Sequence, residues 1–276
     1  MVACTVGCTP TAPPVGSPVG SRSPTLPAAT MTRTPVPQNR PSRMVLEASF
    51  SAASEQISAD VSVSVASGAD VLTFGAPLAG PAWSTMKVPV AIAAMRASPA
   101  RAPGYVPAAI TLSDNAAAEH LWSLLGAPTD AARAVESVLR DGGDMGTVVQ
   151  SERIRPGFTS FGQTNWTTEA QASFAWRLPC IAGAESVFSE MQRIVPEQQW
   201  GFARDDDAAA KGGWGPASDG RYLVRQLAVV RDDRGALGVA IAVAPHDGSF
   251  QSGVAAVNRL ANWVDEHRGE FVWAAC

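Results

Sequence analysis

The apolar residues follow the two-residue period of a β-strand early and late in the chain. "VSVSVAS" (61–67) alternates valine with polar residues, which predicts a half-buried strand, and "GAD" turns it into a second strand, "VLTFG" (71–75). Near the other end, "RYLVRQLAVV" (221–230) and "ALGVAIAVAP" (236–245) flank "RDDRG", which favours a second β-hairpin.

Helical patterns occupy the other regular parts of the chain. "RMVLEASFSAASEQI" (43–57) is loosely helical, and "VAAVNRLANWVDEHRG" (254–269) is amphipathic. Between about 85 and 200 the pattern is mostly helical, with clear helices near 113–125, 129–139, 167–177 and 184–194. This order predicts an α+β fold in which terminal helices cover one face of an antiparallel sheet of about five strands, with an inserted helical lobe.

Residues 1–43 differ from the rest in composition. They contain four arginines, no acidic residue, no aromatic residue and nine of the 21 prolines. Such a segment cannot bury enough apolar surface to offset its ordering entropy, so we predict a disordered, extended linker. The predicted folded domain is 44–276, with an α/β lobe at 44–84 plus 201–276 and a helical lobe at 85–200.

Charge and hydropathy limit the partners and the location. The net charge of −4 provides no broad basic surface for nucleic acid. No run approaches the ~20 apolar residues of a membrane-spanning helix. The chain begins "MVACTVGC", and Val-Ala-Cys is similar to the end of a bacterial lipoprotein signal, in which the cysteine, here Cys4, is lipidated. We therefore expect an exported monomer, anchored in the cell envelope through Cys4 or secreted; a chance chain boundary is the alternative.

The cysteines and histidines match no metal site. There is no CxxC pair, and His120, His246 and His267 are scattered, so we expect neither metal nor cofactor. In an exported chain Cys180 and Cys276 could form a disulfide, and two buried free thiols are the alternative.

The stretch "AGPAWSTMKVPVAIAAM" (79–95) has the clearest chemical content. Ser84 and Lys87 are three residues apart, so on a helix their side chains share a face. Apolar neighbours would desolvate Lys87 and lower its pKa, so that its amine can take the proton of Ser84. Because proline is tolerated only near the start of a helix, Pro89 predicts that Ser84 lies at a helix N-terminus. Taken alone, Ser-x-x-Lys also occurs by chance in buried helices.

Two further stretches carry polar groups that could join this pair. "SDN" (113–115) begins a predicted helix; Ser and Asp are common N-caps, but Ser113 and Asn115 could also relay a proton and hold a substrate amide. "DAAAKGGWG" (207–215) predicts a strand of small residues that another backbone can approach closely, with Lys211 as a fixed charge. A glycine-rich turn with a surface lysine is the alternative.

The three stretches occur in the order Ser-x-x-Lys, Ser-Asp-Asn and Lys-Gly-Gly. This order is similar to the Ser-x-x-Lys, Ser-Asp-Asn and Lys-Thr-Gly set of the penicillin-recognising serine enzymes. Residues 44–276 therefore resemble class A β-lactamases and the related DD-peptidases, a likeness that also implies a helical lobe inserted between the second and third strands.

The resemblance implies a role for each matching polar residue. Ser84 would be acylated and Lys87 would activate it. Ser113 would carry the proton toward the leaving nitrogen, Asn115 would hold the substrate amide, and Lys211 would supply charge facing the cleft. The expected substrate is a small molecule or peptide: a D-Ala peptide, a β-lactam or a small ester.

The third motif departs from the family pattern. The backbone amides of Ser84 and Trp214 would form the oxyanion hole, with Gly213 beside them. The family binds the substrate carboxylate with a hydroxyl that is missing here, because Gly212 stands in its place. Arg221, on the next strand, is a candidate replacement.

The loop at 151–171 is the second departure. Class A β-lactamases carry there a glutamate, in an ExxLN sequence, that positions the deacylating water, and this chain has no such sequence. Glu152 is the only acid before Glu169 and its context differs, while Gln163 could orient water but could not act as a base.

These departures predict an acyl-enzyme that hydrolyses slowly, and hence no efficient β-lactamase. Two other functions stay open on the sequence alone. One is a catalytically inactive envelope-binding lipoprotein with the same fold, and the other is a lipid or ester hydrolase.

Overall fold

Five antiparallel strands form one sheet in a computed structural model that describes residues 43–276. The strand order is β2-β1-β5-β4-β3. The strands are β1 (Ala59–Ser67), β2 (Asp70–Gly75), β3 (Ala208–Pro216), β4 (Tyr222–Asp232) and β5 (Gly235–Pro245). The predicted α+β class and both predicted hairpins are confirmed, and the predictions for residues 1–42, including Cys4, lie outside the described residues.

Eight α-helices are present within residues 43–276. They are α1 (Arg43–Ser54), α2 (Lys87–Ala97), α3 (Val106–Thr111), α4 (Asn115–Ser123), α5 (Pro128–Asp141), α6 (Thr168–Arg177), α7 (Glu185–Met191) and α8 (Phe250–Glu266). The sequence did not predict α3, because six residues are too short to show a helical period. None of these helices is both long enough and apolar enough to cross a membrane.

Helices cover both faces of the sheet. The terminal helices α1 and α8 pack on one face with Leu46, Phe50 and Leu260 buried there. Helix α6 packs on the other face, against β1 and β5, whereas the sequence placed 167–177 in the helical lobe. Gly238 explains this packing, since an added Cβ would lie 2.2 Å from Ala172 O of α6. The absence of a side chain thus lets the α6 backbone lie directly on β5.

Strand β1 is buried on both faces, and not half-buried as its alternation predicts. Val61, Val63 and Val65 face the terminal helices. Ser62 and Ser64 are fully buried under α6, and each of their hydroxyls lies 2.9 Å from Thr168 Oγ1. Because these hydroxyls satisfy one another, a polar face of the strand is buried without an unpaired group.

The end of the chain is tied to α6. Cys180 and Cys276 form a disulfide, which decides between the two states that the sequence left open. Trp176 Nε1 donates to Ala274 O at 3.2 Å, and Ala236 N donates to the same oxygen at 3.1 Å. The last residues therefore connect α6 with the start of β5.

Candidate active site

Ser84 lies in a 3₁₀ turn, Trp83–Met86, that continues directly into α2. Pro89 is the third residue of α2, where its missing N–H costs no helical hydrogen bond, so the predicted position of Ser84 at a helix start is confirmed. Trp83 has φ of 50°, a left-handed value that is uncommon for a large residue. A backbone held in this way at the residue before Ser84 aims the Ser84 side chain into the cleft.

A buried network holds this turn from below. Gln171 Nε2 on α6 donates to Thr85 Oγ1 at 2.8 Å. Arg225 on β4 is fully buried, and its guanidinium donates to Gly80 O at 2.9 Å and to Trp166 O at 2.6 Å. Burial lowers the pKa of Arg225 to about 10. No sequence motif indicated Gln171 or Arg225, because their partners lie far away along the chain.

Lys87 is 1% exposed and points its amine at the Ser-Asp-Asn segment. Its Nζ donates to Ser113 O, to Ser113 Oγ at 3.2 Å and to Asn115 Oδ1 at 2.8 Å. Burial lowers the pKa of Lys87 to about 7, against the opposing charges of Asp114 and Glu119. A large fraction of this amine is therefore neutral near pH 7 and able to accept a proton.

Lys211 approaches the same serine from β3. Its Nζ donates to Ser113 Oγ at 2.8 Å and to Gly212 O at 3.0 Å. Complete burial, and then the neighbouring Lys87 charge, hold the pKa of Lys211 well below its ordinary value, so Lys211 is neither the surface lysine of the alternative nor the fixed charge that the sequence predicted. Ser113 itself has φ of 56°, so its strained backbone brings the hydroxyl between two buried amines.

The cleft above this network has a volume of about 260 Å³. Of the predicted site residues, Ser84, Ser113, Asn115 and Trp214 line it together. Lys87 and Lys211 are buried and reach it through Ser113. Among the described residues, Ser84 Oγ makes no hydrogen bond to Lys87 Nζ; catalytic hydrogen bonds of unliganded enzymes often form only when substrate binds.

Gly213 brings the edge strand against the Ser84 turn. A Cβ at Gly213 would lie 2.9 Å from Ala82 O and from Thr85 N, and 3.0 Å from Ser84 N. Only glycine allows two backbones to approach this closely. The amides of Ser84 and Trp214 thereby belong to two backbones in direct contact, which is the arrangement that a two-amide oxyanion hole needs.

The space that a side chain at position 212 would need is filled. A Cβ at Gly212 would lie 2.5 Å from Trp200 Cζ2, so the indole ring occupies the space of the missing side chain. Arg221 does not take over the role of the missing hydroxyl, because it is absent from the cleft lining. Its Nη2 lies 3.4 Å from Pro245 O and 3.3 Å from His246 O, outside the cleft.

No acidic residue lines the cleft in the part of the chain that the structure describes. Glu152 is exposed and lines a different depression together with Glu119 and Arg153. Gln163 holds the loop itself: its Oε1 accepts from Arg155 N at 2.7 Å, and its Nε2 donates to Thr159 O at 3.2 Å. Its amide is therefore engaged by the backbone and is not directed at a water beside Ser84.

A five-stranded antiparallel sheet with terminal helices on one face and a helical lobe inserted after the second strand is the fold of class A β-lactamases. The class A β-lactamase of Mycobacterium abscessus is similar with a TM-score of 0.63 and 16% identity, over 81% of this chain and 99% of that chain. The chromosome-encoded β-lactamase of Vibrio parahaemolyticus has a TM-score of 0.61 and 19% identity, over 82% and 100%. No family model and no curated protein matches the sequence. At this identity the likeness establishes the fold.

Proposed function

We propose that the protein is a serine acyl-transfer enzyme with Ser84 as its nucleophile. The observation that supports this best is the hydrogen-bonded set of Lys87, Ser113 and Lys211 beneath the cleft. Two buried amines around one hydroxyl are costly to a fold, since burial disfavours a charged amine. Such an arrangement is typical of a site where a proton must be moved.

Each step of the proposed reaction is carried out by a particular group of this chain. Neutral Lys87 takes the proton of Ser84 as Ser84 Oγ attacks the substrate carbonyl. The amides of Ser84 and Trp214 stabilise the resulting oxyanion. Ser113 passes the proton to the leaving group, and Asn115 Nδ2 holds the substrate, since Asn115 Oδ1 already accepts from Lys87.

The acyl-enzyme should hydrolyse slowly. Deacylation needs a base that activates water on the ester of Ser84. The lining residues supply no carboxylate, and the Gln163 amide is bound to its own loop. We therefore expect kcat for a chromogenic cephalosporin below roughly 10 s⁻¹, a typical enzyme value.

The disulfide supports export. Disulfides persist in oxidising compartments and are rare in the reducing cytosol, and Cys180–Cys276 joins residues that are 96 positions apart. We accordingly propose that the protein acts outside the cytoplasm, held in the envelope by lipid on Cys4 or secreted, and we retain the expectation of a monomer.

A covalent-labelling experiment tests the assignment. The protein is exposed to an activated fluorophosphonate and to a fluorescent penicillin, and the adducts are measured by intact mass spectrometry. We expect a fluorophosphonate adduct that is absent in Ser84→Ala, a variant whose melting temperature checks that it folds. Labelling that persists in Ser84→Ala would refute the assignment, and cephalosporin turnover above the limit given would refute slow deacylation.

A second function is favoured by the missing hydroxyl at Gly212. If the cleft binds without reacting, the protein is an inactive envelope-binding protein with the same fold. No adduct from either probe, with the protein folded, would support this alternative.

A further inference from the structure

The geometry points to acyl donors that carry no carboxylate: the cleft takes an uncharged ester whose alcohol part is aromatic or otherwise apolar. This inference rests on the proposed acyl transfer to Ser84 and names its substrate class. It follows from three features, namely the missing hydroxyl at position 212, the cations that are engaged elsewhere, and the aromatic rings that line the cleft.

The space beside Gly212 is closed to a side chain. The Trp200 ring lies where a side chain at position 212 would start, and Trp200 is only 5% exposed. Trp200 is not among the residues that line the cleft, and its Nε1 is buried without a hydrogen-bond partner among the described residues, so it offers no donor there. Position 212 therefore contributes no hydroxyl to the cleft.

The cationic side chains near the cleft already interact with other groups of the protein. Arg155 Nη1 donates to Pro216 O at 2.6 Å, and its guanidinium lies 4.6 Å from the centre of the Phe158 ring. Arg221 is directed at backbone carbonyls outside the cleft. Lys211 is fully buried, and its amine is bonded to Ser113 Oγ and Gly212 O. No lysine or arginine of residues 43–276 lines the cleft.

Aromatic rings form the walls instead. On one side Trp214 and Tyr222 line the cleft and both pack against Phe250, with ring centres 5.2 and 6.0 Å away. On the other side Trp83 and Phe158 line it with centres 5.2 Å apart. An apolar group gains by burial against these rings, whereas a carboxylate would lose water without gaining a cation as its partner.

The reaction balances without any further reagent. Ser84 Oγ attacks the ester carbonyl carbon, and the Ser84 proton passes to Lys87. The bond between the carbonyl carbon and the alkoxy oxygen breaks, and the alcohol leaves with a proton delivered through Ser113. Water then hydrolyses the acyl-Ser84 ester. The carboxylic acid leaves, and the Ser84 hydroxyl and the neutral Lys87 amine are regenerated.

Two matched esters test the inference. Phenylacetyl esters of 3-hydroxybenzamide and of 3-hydroxybenzoate differ in charge but hardly in size. Acylation of Ser84 is followed by intact mass, and each rate constant is divided by that of hydroxide-catalysed hydrolysis. We expect the carboxamide ester to acylate at least about tenfold faster, the ratio that 1.4 kcal/mol of discrimination produces. An equal or faster reaction of the carboxylate ester would overturn the inference.

A pair of variants at Tyr222 tests the effect of a cation in the cleft wall. Tyr222→Lys and Tyr222→Met both remove the ring and have similar length, but only the first supplies a cation. We expect the relative rate of the carboxylate ester to be about tenfold higher in the Lys variant than in the Met variant, because an added cation offers the partner that the native wall lacks. Equal ratios in the two variants would contradict the inference.

The outcomes separate this inference from the proposed function. Fluorophosphonate labelling of Ser84 together with preference for the carboxylate ester would overturn the substrate class alone. Absence of labelling by the fluorophosphonate and by both esters would overturn both. Labelling by the fluorophosphonate and preference for the carboxamide ester would support both.

Discussion

The two ends of the cleft differ in how their polar groups are satisfied. Beneath Ser84, the amines of Lys87 and Lys211 are both bonded to Ser113 Oγ. At the far end, position 212 supplies no hydroxyl, because the ring of Trp200 fills the space of a side chain there. The members of a buried network depend on one another, whereas the residues that receive the rest of a substrate can change one at a time. We infer that the first end defines the reaction and the second end defines the substrate.

Removal of the proposed base, Lys87, should have the largest effect on the labelling rate of Ser84. We expect Lys87→Met to lower the rate of fluorophosphonate labelling at pH 8 by about 10²–10⁴-fold, the usual contribution of a general base. Time-resolved intact mass measures the rate, and thermal unfolding confirms the fold. A change below threefold would show that another group takes the proton of Ser84.

A smaller loss of labelling rate is expected from Gly213→Ala. The new Cβ would lie 2.9 Å from two backbone atoms of the Ser84 turn, so the edge strand must move away from it. Displacement of a reacting group by about 1 Å can cost about 10²-fold, and labelling should slow by that amount. Gly146→Ala is the matched control, since no atom lies within 4 Å of its added Cβ. Equal labelling by the two variants would contradict the proposed oxyanion hole.

The pH profile tests the proton state of the first end. Because burial lowers the pKa of Lys87 to about 7, the neutral amine becomes scarcer below pH 7, and labelling should fall about tenfold for each pH unit there. Labelling of Ser84→Ala gives the background at each pH. A rate that does not change between pH 5 and 8 would exclude Lys87 as the base.

The same pKa has a consequence for stability. Lys87 in the unfolded chain has the ordinary lysine pKa of 10.5, whereas burial in the folded chain lowers its pKa to about 7. The unfolded state therefore binds more protons between these values, and the contribution of Lys87 to the free energy of unfolding rises with pH across that window. Chemical denaturation of wild type and Lys87→Met at pH 6 and 9 measures the difference, and a gap that stays constant would contradict the lowered pKa.

The smallest effect on reactivity is expected from Arg221→Ala, which tests the end of the cleft that receives the rest of the substrate. The Arg221 guanidinium is directed at the carbonyls of Pro245 and His246. The rate ratio of the carboxylate ester to the carboxamide ester should therefore change by less than about twofold, within the range of a distant surface charge. A selective tenfold loss for the carboxylate ester would restore the predicted role of Arg221 and remove the difference between the two ends.

Local patterns predicted most elements and the Ser84 turn, but not the contacts between distant segments. The period of two residues is visible in 61–67, and Pro89 marks a helix start whatever lies around it. The burial of Ser62 is different, since it depends on α6, more than a hundred residues later. Likewise, nothing near Arg225 indicates that its guanidinium holds the backbone at Gly80, 145 residues away.

The sequence by itself determined the order of strands and helices, the three-residue spacing of Ser84 and Lys87, and the absence of a hydroxyl at Gly212. The tertiary structure alone decided that Lys211 is desolvated, that the space beside Gly212 holds the Trp200 ring, and that Arg221 points away. The physical reason is that periodicity and capping act between neighbours along the chain, whereas desolvation depends on everything that surrounds a group in three dimensions.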